Sequence, residues 1–190
     1  MTDLTRIINA LSNGESAGSG ELLPVLYGEL RQLAASRMAS EQPGHSLQAT
    51  ALVHEAWLRL FNSGASVSFA NRRHFFAAAA EAMRRILVES ARRRSRLKRG
   101  GHLERVDIDD VEVAAPVPDE ELLALDEAMD RFSGAHPRAA EVVKLCYYAG
   151  FTQSEAGDIL GMSARTVERQ WAFARAWLFK TIENGRASEG

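Results

Sequence analysis

Cysteine is nearly missing from this chain: Cys146 stands alone among 190 residues. That excludes an internal disulfide and any zinc site built from several thiolates. The five histidines, His45, His54, His74, His102 and His136, lie far apart without metal-ligand spacing, so no metal is expected. There is no glycine-rich phosphate loop and no Gly-x-Ser-x-Gly. With no catalytic constellation, neither an enzyme nor a cofactor is expected. No apolar run approaches the ~18–20 residues of a membrane span. The opening Met1-Thr2-Asp3-Leu4-Thr5-Arg6 lacks the basic and apolar regions of a secretory signal. A cytoplasmic protein without a membrane partner is the expectation.

What is present belongs to a globular chain. Hydrophobic residues make up 46% and charged residues 25%, ordinary values for a folded domain. The length suits one ordinary domain or two small ones. The net charge of -2 conceals a sharp sorting. Between Asn71 and Gly101, ten basic residues face only Glu81 and Glu89; between His102 and His136, eleven acids face only Arg105 and Arg131. A block of +8 therefore adjoins a block of -9.

Periodicity divides the chain into helices. A short one is expected over 3–11, broken by Ser12-Asn13-Gly14, and a longer one from Glu21 to about Ser40 on Leu22, Leu23, Leu26, Leu30 and Leu33. Pro24 fits its first turn, and Gln42-Pro43-Gly44 ends it. From Thr50 to Phe61, Leu52, Val53, Ala56, Trp57, Leu60 and Phe61 form one stripe, leaving His54, Glu55 and Arg59 for other faces. A long helix follows from about Arg72 to Lys98, alanine-rich and then arginine-rich. After Gly100-Gly101 the chain is acidic and carries Pro116 and Pro118, which discourage regular structure. Helical patterning resumes at Glu120. The fold class expected is all-α: a helical bundle over 1–100, an acidic linker over 101–119, and a second bundle over 120–184.

The second bundle holds the sharpest local signal. Thr152 and Glu155 form a capping box, Ala156, Ile159 and Leu160 give the helix a buried side, and Gly161 permits the left-handed turn that ends it. Ser163 can cap a further helix whose core stripe is Val167, Trp171, Ala174 and Leu178. This is a helix-turn-helix pattern. Arg165 and Arg169 lie opposite the stripe, with Thr166 and Glu168 beside them. Isolated arginines on a helix are usually a solvated face. An arginine pair at the start of a capped second helix suits base edges or phosphates.

In the first bundle, Arg84, Arg85, Arg92, Arg93, Arg94, Arg96, Lys98 and Arg99 fall within sixteen positions. A few cations at a helix end complement its dipole; eight repel one another unless anions are near, and suggest a surface that tracks phosphates. Upstream, Phe69, Asn71, Arg72, Arg73, His74, Phe75 and Phe76 mix rings with bases and an amide. Such a set can hold unpaired bases, although at least one of Phe75 and Phe76 is expected in the core. Cys146, between Val142, Val143 and Leu145, reads as structural.

Two stretches resemble the extracytoplasmic-function (ECF) sigma factors. Residues 43–60, Pro43-Gly44-His45-Ser46-Leu47-Gln48-Ala49-Thr50-Ala51-Leu52-Val53-His54-Glu55-Ala56-Trp57-Leu58-Arg59-Leu60, are similar to the core-binding segment of an ECF-like subfamily typical of planctomycetes and acidobacteria. Thr152 through Phe179 is similar to the family's last domain. The resemblance implies a sigma factor that binds core RNA polymerase and promoter DNA. It places Leu52, His54, Glu55, Leu58 and Arg59 on the clamp helices of the largest polymerase subunit. Phe69, Asn71, Arg72, Arg73, His74 and Phe75 would melt the minus-ten element. Arg84, Arg85, Arg92 and Arg93 would face its upstream duplex edge, and Arg165, Thr166, Glu168 and Arg169 would read the minus-thirty-five element. An anti-sigma factor is a further candidate partner.

The linker length is compatible with that division. About 20 residues reach at most ~70 Å, or roughly 20 base pairs. Its acids Asp107, Asp109, Asp110 and Glu112 are also candidates to fold against the basic helix in free protein and suppress polymerase-independent DNA binding. The competing reading is a stand-alone helix-turn-helix regulator that needs no polymerase.

Overall fold

Alanine and phenylalanine decide where the longest helix lies. The computed structural model describes residues 45–61, 69–99 and 118–188. The helices expected over 3–11 and 21–40, and the linker acids Asp107, Asp109, Asp110 and Glu112, lie outside the described residues. The described elements are α1 (His45–Phe61), α2 (Arg72–Arg99), α3 (Asp119–Ala135), α4 (Pro137–Val143), a π-helical turn (Lys144–Tyr148), α5 (Gln153–Leu160) and α6 (Ala164–Ser188). Among the described residues there is no strand. The described residues are all-helical, as expected.

α2 is the central element, packing against α1, α3, the π-helical turn and α5. Phe75, Phe76, Ala79, Ala80, Met83, Ile86, Leu87 and Ala91 are all buried along it. The alanines present no bulk and let neighbours approach, while the larger residues fill the space between. α1 supplies Leu52, Val53 and Ala56 to the same core. It begins at His45, five residues before the expected Thr50, and ends at the expected Phe61. α2 matches its expected span to within one residue.

The residues on either side of 101–119 share this core. Leu122, Val142, Leu145, Phe151, Ala156, Ile159 and Val167 belong to the same buried cluster as the α1 and α2 residues. A run of edge-to-face rings carries the contact: Phe69 meets Phe75 at 5.1 Å, Phe75 meets Phe76 at 5.1 Å, and Phe76 meets Phe151 at 5.0 Å. These spacings suit the ring quadrupoles, which place a positive edge on a negative face. A smaller cluster of Ala128, Met129, Phe132, Ala139, Ala140, Val143, Ala174 and Leu178 ties α3, α4 and α6 together. α3 therefore has two buried sides, one toward α2 and one toward α6.

The π-helical turn is a feature that periodicity does not foretell. Ala149 N–H donates to the Lys144 carbonyl at 3.2 Å, five residues back, and Phe151 N–H donates to that of Leu145 at 3.0 Å. Gly150 then takes φ 82°, which releases the chain into α5. This widened turn directs Phe151 onto Phe76.

Because Phe76 is fully buried and touches Phe151, beyond residues 101–119, Phe76→Ala should cost about 3–5 kcal/mol. Urea unfolding followed by circular dichroism measures the loss, and one smaller than about 1 kcal/mol would mean the shared core contributes little.

Candidate nucleic-acid interface

The α5–turn–α6 unit is fixed by local chemistry before any packing. Thr152 Oγ1 accepts from Glu155 N–H at 3.2 Å, and Glu155 Oε2 accepts from Thr152 N–H at 2.8 Å, closing the capping box. Gly161 ends α5 at φ 65°, a conformation that costs glycine little. Gly157 sits where a Cβ would lie 2.9 Å from the Met162 carbonyl oxygen and 3.4 Å from Val167 Cγ2. Only a residue without a side chain allows the turn to come that close. Ser163 Oγ accepts from Thr166 N–H at 3.3 Å and shares a hydrogen bond of 2.8 Å with the Thr166 hydroxyl.

α6 then turns its stripe inward as expected. Val167, Ala174 and Leu178 are buried and Trp171 is half-buried. Arg165, Glu168 and Arg169 are exposed on the first two turns, where a helix can present side chains to a groove. Thr166 is half-buried and its hydroxyl serves the cap, so it shapes the start of α6.

The start of α2 departs from expectation. Phe69 and Phe75 are 3% and 0% exposed, and Phe76 is fully buried too. All three rings are core, and none is open to a base in this conformation. The reason is the ring run that joins Phe75 to Phe151 by way of Phe76. Asn71 caps α2, its Oδ1 accepting from His74 N–H at 2.9 Å, while His74 Nδ1 accepts from Ala70 N–H at 3.2 Å. Arg72 lies 5.3 Å from the Phe76 ring centre, within cation–π range. Arg73 is partly exposed and pairs with Glu141 of α4 at 2.6 Å. Of the set, Asn71, Arg73 and His74 are exposed.

On α1, Leu52 is core and unavailable for docking, because the stripe that includes Val53 and Ala56 faces α2. His54 and Arg59 are exposed, with Glu55 and Leu58 half-buried beside them. Arg59 bonds Glu55 at 3.0 Å and Glu89 at 2.7 Å, setting the exposed polar face of α1 against α2.

The basic block holds the largest departure. Arg84 is buried, and its guanidinium meets the Asp126 carboxylate at 2.5 Å, the Asp126 carbonyl at 3.2 Å and the carboxylate of Asp130. Burial opposes its charge, but Asp130 and Asp126 outweigh it and hold the guanidinium more firmly protonated than usual. Arg92 reaches the other oxygen of Asp126 at 3.0 Å. Arg94 grips Asp119 through Nε and Nη2, at 3.0 and 2.6 Å to Oδ1, and Lys98 lies 3.7 Å from the same carboxylate. The hydrogen bond from Arg94 is the main cause holding Asp119 below the ordinary aspartate range. Arg85 and Arg93 are exposed, with Arg85 3.3 Å from Glu81. Burial pushes the Glu81 carboxyl up, but the hydrogen bond and charge of Lys144 prevail, and the net shift is downward.

The structure thus holds an arginine-bearing helix start and a dense cationic helix, several of whose cations pair with acids of α3. A family model decides between the classes that fit. Residues 1–184 match the model for ECF sigma factor. The chain belongs to that family. No curated protein and no solved structure matches it significantly. As an ECF sigma factor it is an RNA polymerase sigma factor acting in transcription initiation, and it binds core polymerase and promoter DNA. A regulator working apart from polymerase is not favoured. Sigma factors are transcription factors of a non-enzymatic class. No helix among the described residues of this sigma factor is long and apolar enough to cross a membrane, and those residues contain no cluster suited to a metal ion.

Among the partners of the basic helix, Glu81 stands within the basic block itself, whereas Asp119, Asp126, Asp130 and Glu141 carry no local motif that marks them. The charge sorting was the available signal, and Asp119, Asp126 and Asp130 stand seven and four residues apart, on one face of a helix.

Asp126→Ala would leave Arg84 buried without its principal partner and should destabilise by about 3–5 kcal/mol; thermal melting monitored by circular dichroism reads this, and a change below 1 kcal/mol would contradict it. The depressed carboxyls of Asp119 and Glu81 give an acid dependence of fixed sign. Their stabilisation is complete above the unfolded values, near pH 4, and is lost as pH falls through the lower folded ones. Asp119→Asn should flatten the acid limb of the stability–pH curve.

Proposed function

We propose that this sigma factor works as two DNA-contacting modules, residues 1–100 and 120–184, with residues 101–119 spanning the promoter between them. The observation that supports this most is the start of α6, where Arg165, Glu168 and Arg169 stand exposed on a helix whose opposite face is core. In the proposed complex these three contact base edges of the minus-thirty-five element in the major groove, and Thr166 holds the helix start in place. Arg165 and Arg169 suit guanine, whose N7 and O6 accept a guanidinium fork.

In the first module, His54, Glu55, Leu58 and Arg59 form the docking face for the clamp helices of the largest polymerase subunit. Asn71, Arg72, Arg73 and His74 approach the minus-ten element, with Arg85, Arg92 and Arg93 on the phosphates upstream. Burial of Phe69 and Phe75 argues that these rings support the melting residues from beneath. The sigma factor would work in the cytoplasm, where polymerase and chromosome meet, without a catalytic role or cofactor of its own. An anti-sigma factor is a candidate regulator of the exposed surfaces.

Run-off transcription with purified core polymerase and genomic promoter fragments tests the whole reading, and silence on every template would overturn it. Arg169→Ala should lower selectivity between promoters by about 1–3 kcal/mol. An equal loss on all sequences would reassign Arg169 to phosphate.

A further inference from the structure

The later turns of α6 present a second face besides the one buried in the core. Ala172, Ala176, Phe179 and Ile182 recur there at spacings of four, three and three, clear of the inward stripe of Val167, Ala174 and Leu178. Phe179 is 68% exposed. Phe173, the other exposed large apolar side chain, has company: its ring lies 4.9 Å from His136 and 5.9 Å from Phe132. Beside Phe179 runs a groove of about 660 Å³ between α3, the π-helical turn and α6, lined by Leu125, Tyr147, Trp171 and Ile182 among others. A protruding phenylalanine at the rim of an apolar groove is the composition of an interface centre.

The charges around Phe179 decide what this face fits. Arg175 stands four residues before it and Glu183 four residues after, both exposed and without an ion pair among the described residues. A second α6 turned antiparallel about Phe179 brings its Glu183 to Arg175 and its Arg175 to Glu183. The same rotation sets Ala176 against Ile182, small against large. A parallel pair would instead place Arg175 on Arg175 and Glu183 on Glu183, which repel. The face is thus complementary to itself under a two-fold rotation, the condition for an isologous contact.

We propose that the later turns of α6 and the groove beside them are a self-association surface, through which two copies of this chain pair antiparallel about Phe179. Each Phe179 enters the groove of the other copy, and two Arg175–Glu183 pairs fix the direction. The stretch from Ala172 to Arg186 covers about four turns, or ~21 Å at 1.5 Å per residue. A contact of that extent falls in the small class, below about 1,200 Å² in total. Such contacts make reversible dimers, here with a Kd on the order of tens of micromolar. Arg165 and Arg169 precede the paired turns, so the start of α6 stays uncovered in the dimer. The pairing needs neither DNA nor polymerase.

Sedimentation equilibrium of the full chain alone, from about 5 to about 300 µM, reads the pairing. The mean mass should rise from 20.9 kDa toward twice that value. Phe179→Glu should weaken association more than about ten-fold. Arg175→Glu alone sets acid against acid at both contacts of the dimer, and Glu183→Arg alone sets base against base; each should weaken pairing by about ten-fold. Mixed in equal amounts, these two single variants are complementary at both contacts and should associate as tightly as the unaltered chain. All three positions are exposed, so each variant should keep the unaltered circular dichroism spectrum. Should Phe179→Glu lose helical signal, the charge variants decide alone. A chain that is monomeric at about 300 µM overturns the proposal. Association that survives Phe179→Glu in a folded variant overturns it too, because another surface would then be responsible. A mixture no tighter than its separate parts refutes the antiparallel pairing. A monomeric chain whose Phe179→Glu variant binds core polymerase more weakly also refutes it, by assigning the face to polymerase.

Discussion

A buried arginine constrains everything around it. A guanidinium cannot leave water unless oxygens replace its hydration, and at Arg84 those oxygens come from Asp126 and Asp130. That requirement places α3 against α2 and fixes its register, because the carboxylates must arrive where the charge is. The phenylalanine run secures a second contact between the same two parts of the chain, through Phe76 and Phe151. Apolar burial supplies a driving force without direction; the ion pairs supply direction. Together they determine that residues 45–99 and 118–188 meet in this orientation.

α2 carries two demands on one helix. Its first half is alanine and phenylalanine, suited to a crowded centre, and its second half is arginine, suited to anions. The dense cations would repel one another in isolation. Within the chain the acids of α3 relieve that repulsion. The pairing of the basic helix with acids of α3 thus reconciles a nearly neutral net charge with strongly sorted charge blocks.

Much of this was legible from the sequence, where signals were local. The capping box at Thr152 and Glu155, the left-handed Gly161, the Ser163 cap and the Val167–Leu178 stripe are each set by residues within a few positions of one another, and each is found as read. The span of α2 was equally clear from alanine content and the glycines that follow it. What periodicity could not supply was the pairing of distant elements. Phe69 and Phe75 look like base-stacking rings until Phe151 is known to lie in line with them, 75 or more positions along the chain. Arg84 looks like a phosphate contact until Asp126 is seen at its side. Asn71 also caps α2, which its position one residue before the helix is enough to suggest. The π-helical turn escaped because its hydrogen bonds leave no compositional mark. Burial of Leu52 agrees with its place on the apolar stripe of α1, and it was the resemblance alone that set it among docking residues.

The absent side chain at Gly157 has a consequence for how promoter preference can diverge. A Cβ there would press on the Met162 carbonyl and on the Val167 side chain, so the close approach of α5 to the turn and α6 depends on a bare backbone at this position. Arg165, Glu168 and Arg169 take no part in that contact. In the proposed complex those three side chains can be exchanged like type in a fixed frame, altering which bases are preferred while the helix keeps its angle of entry.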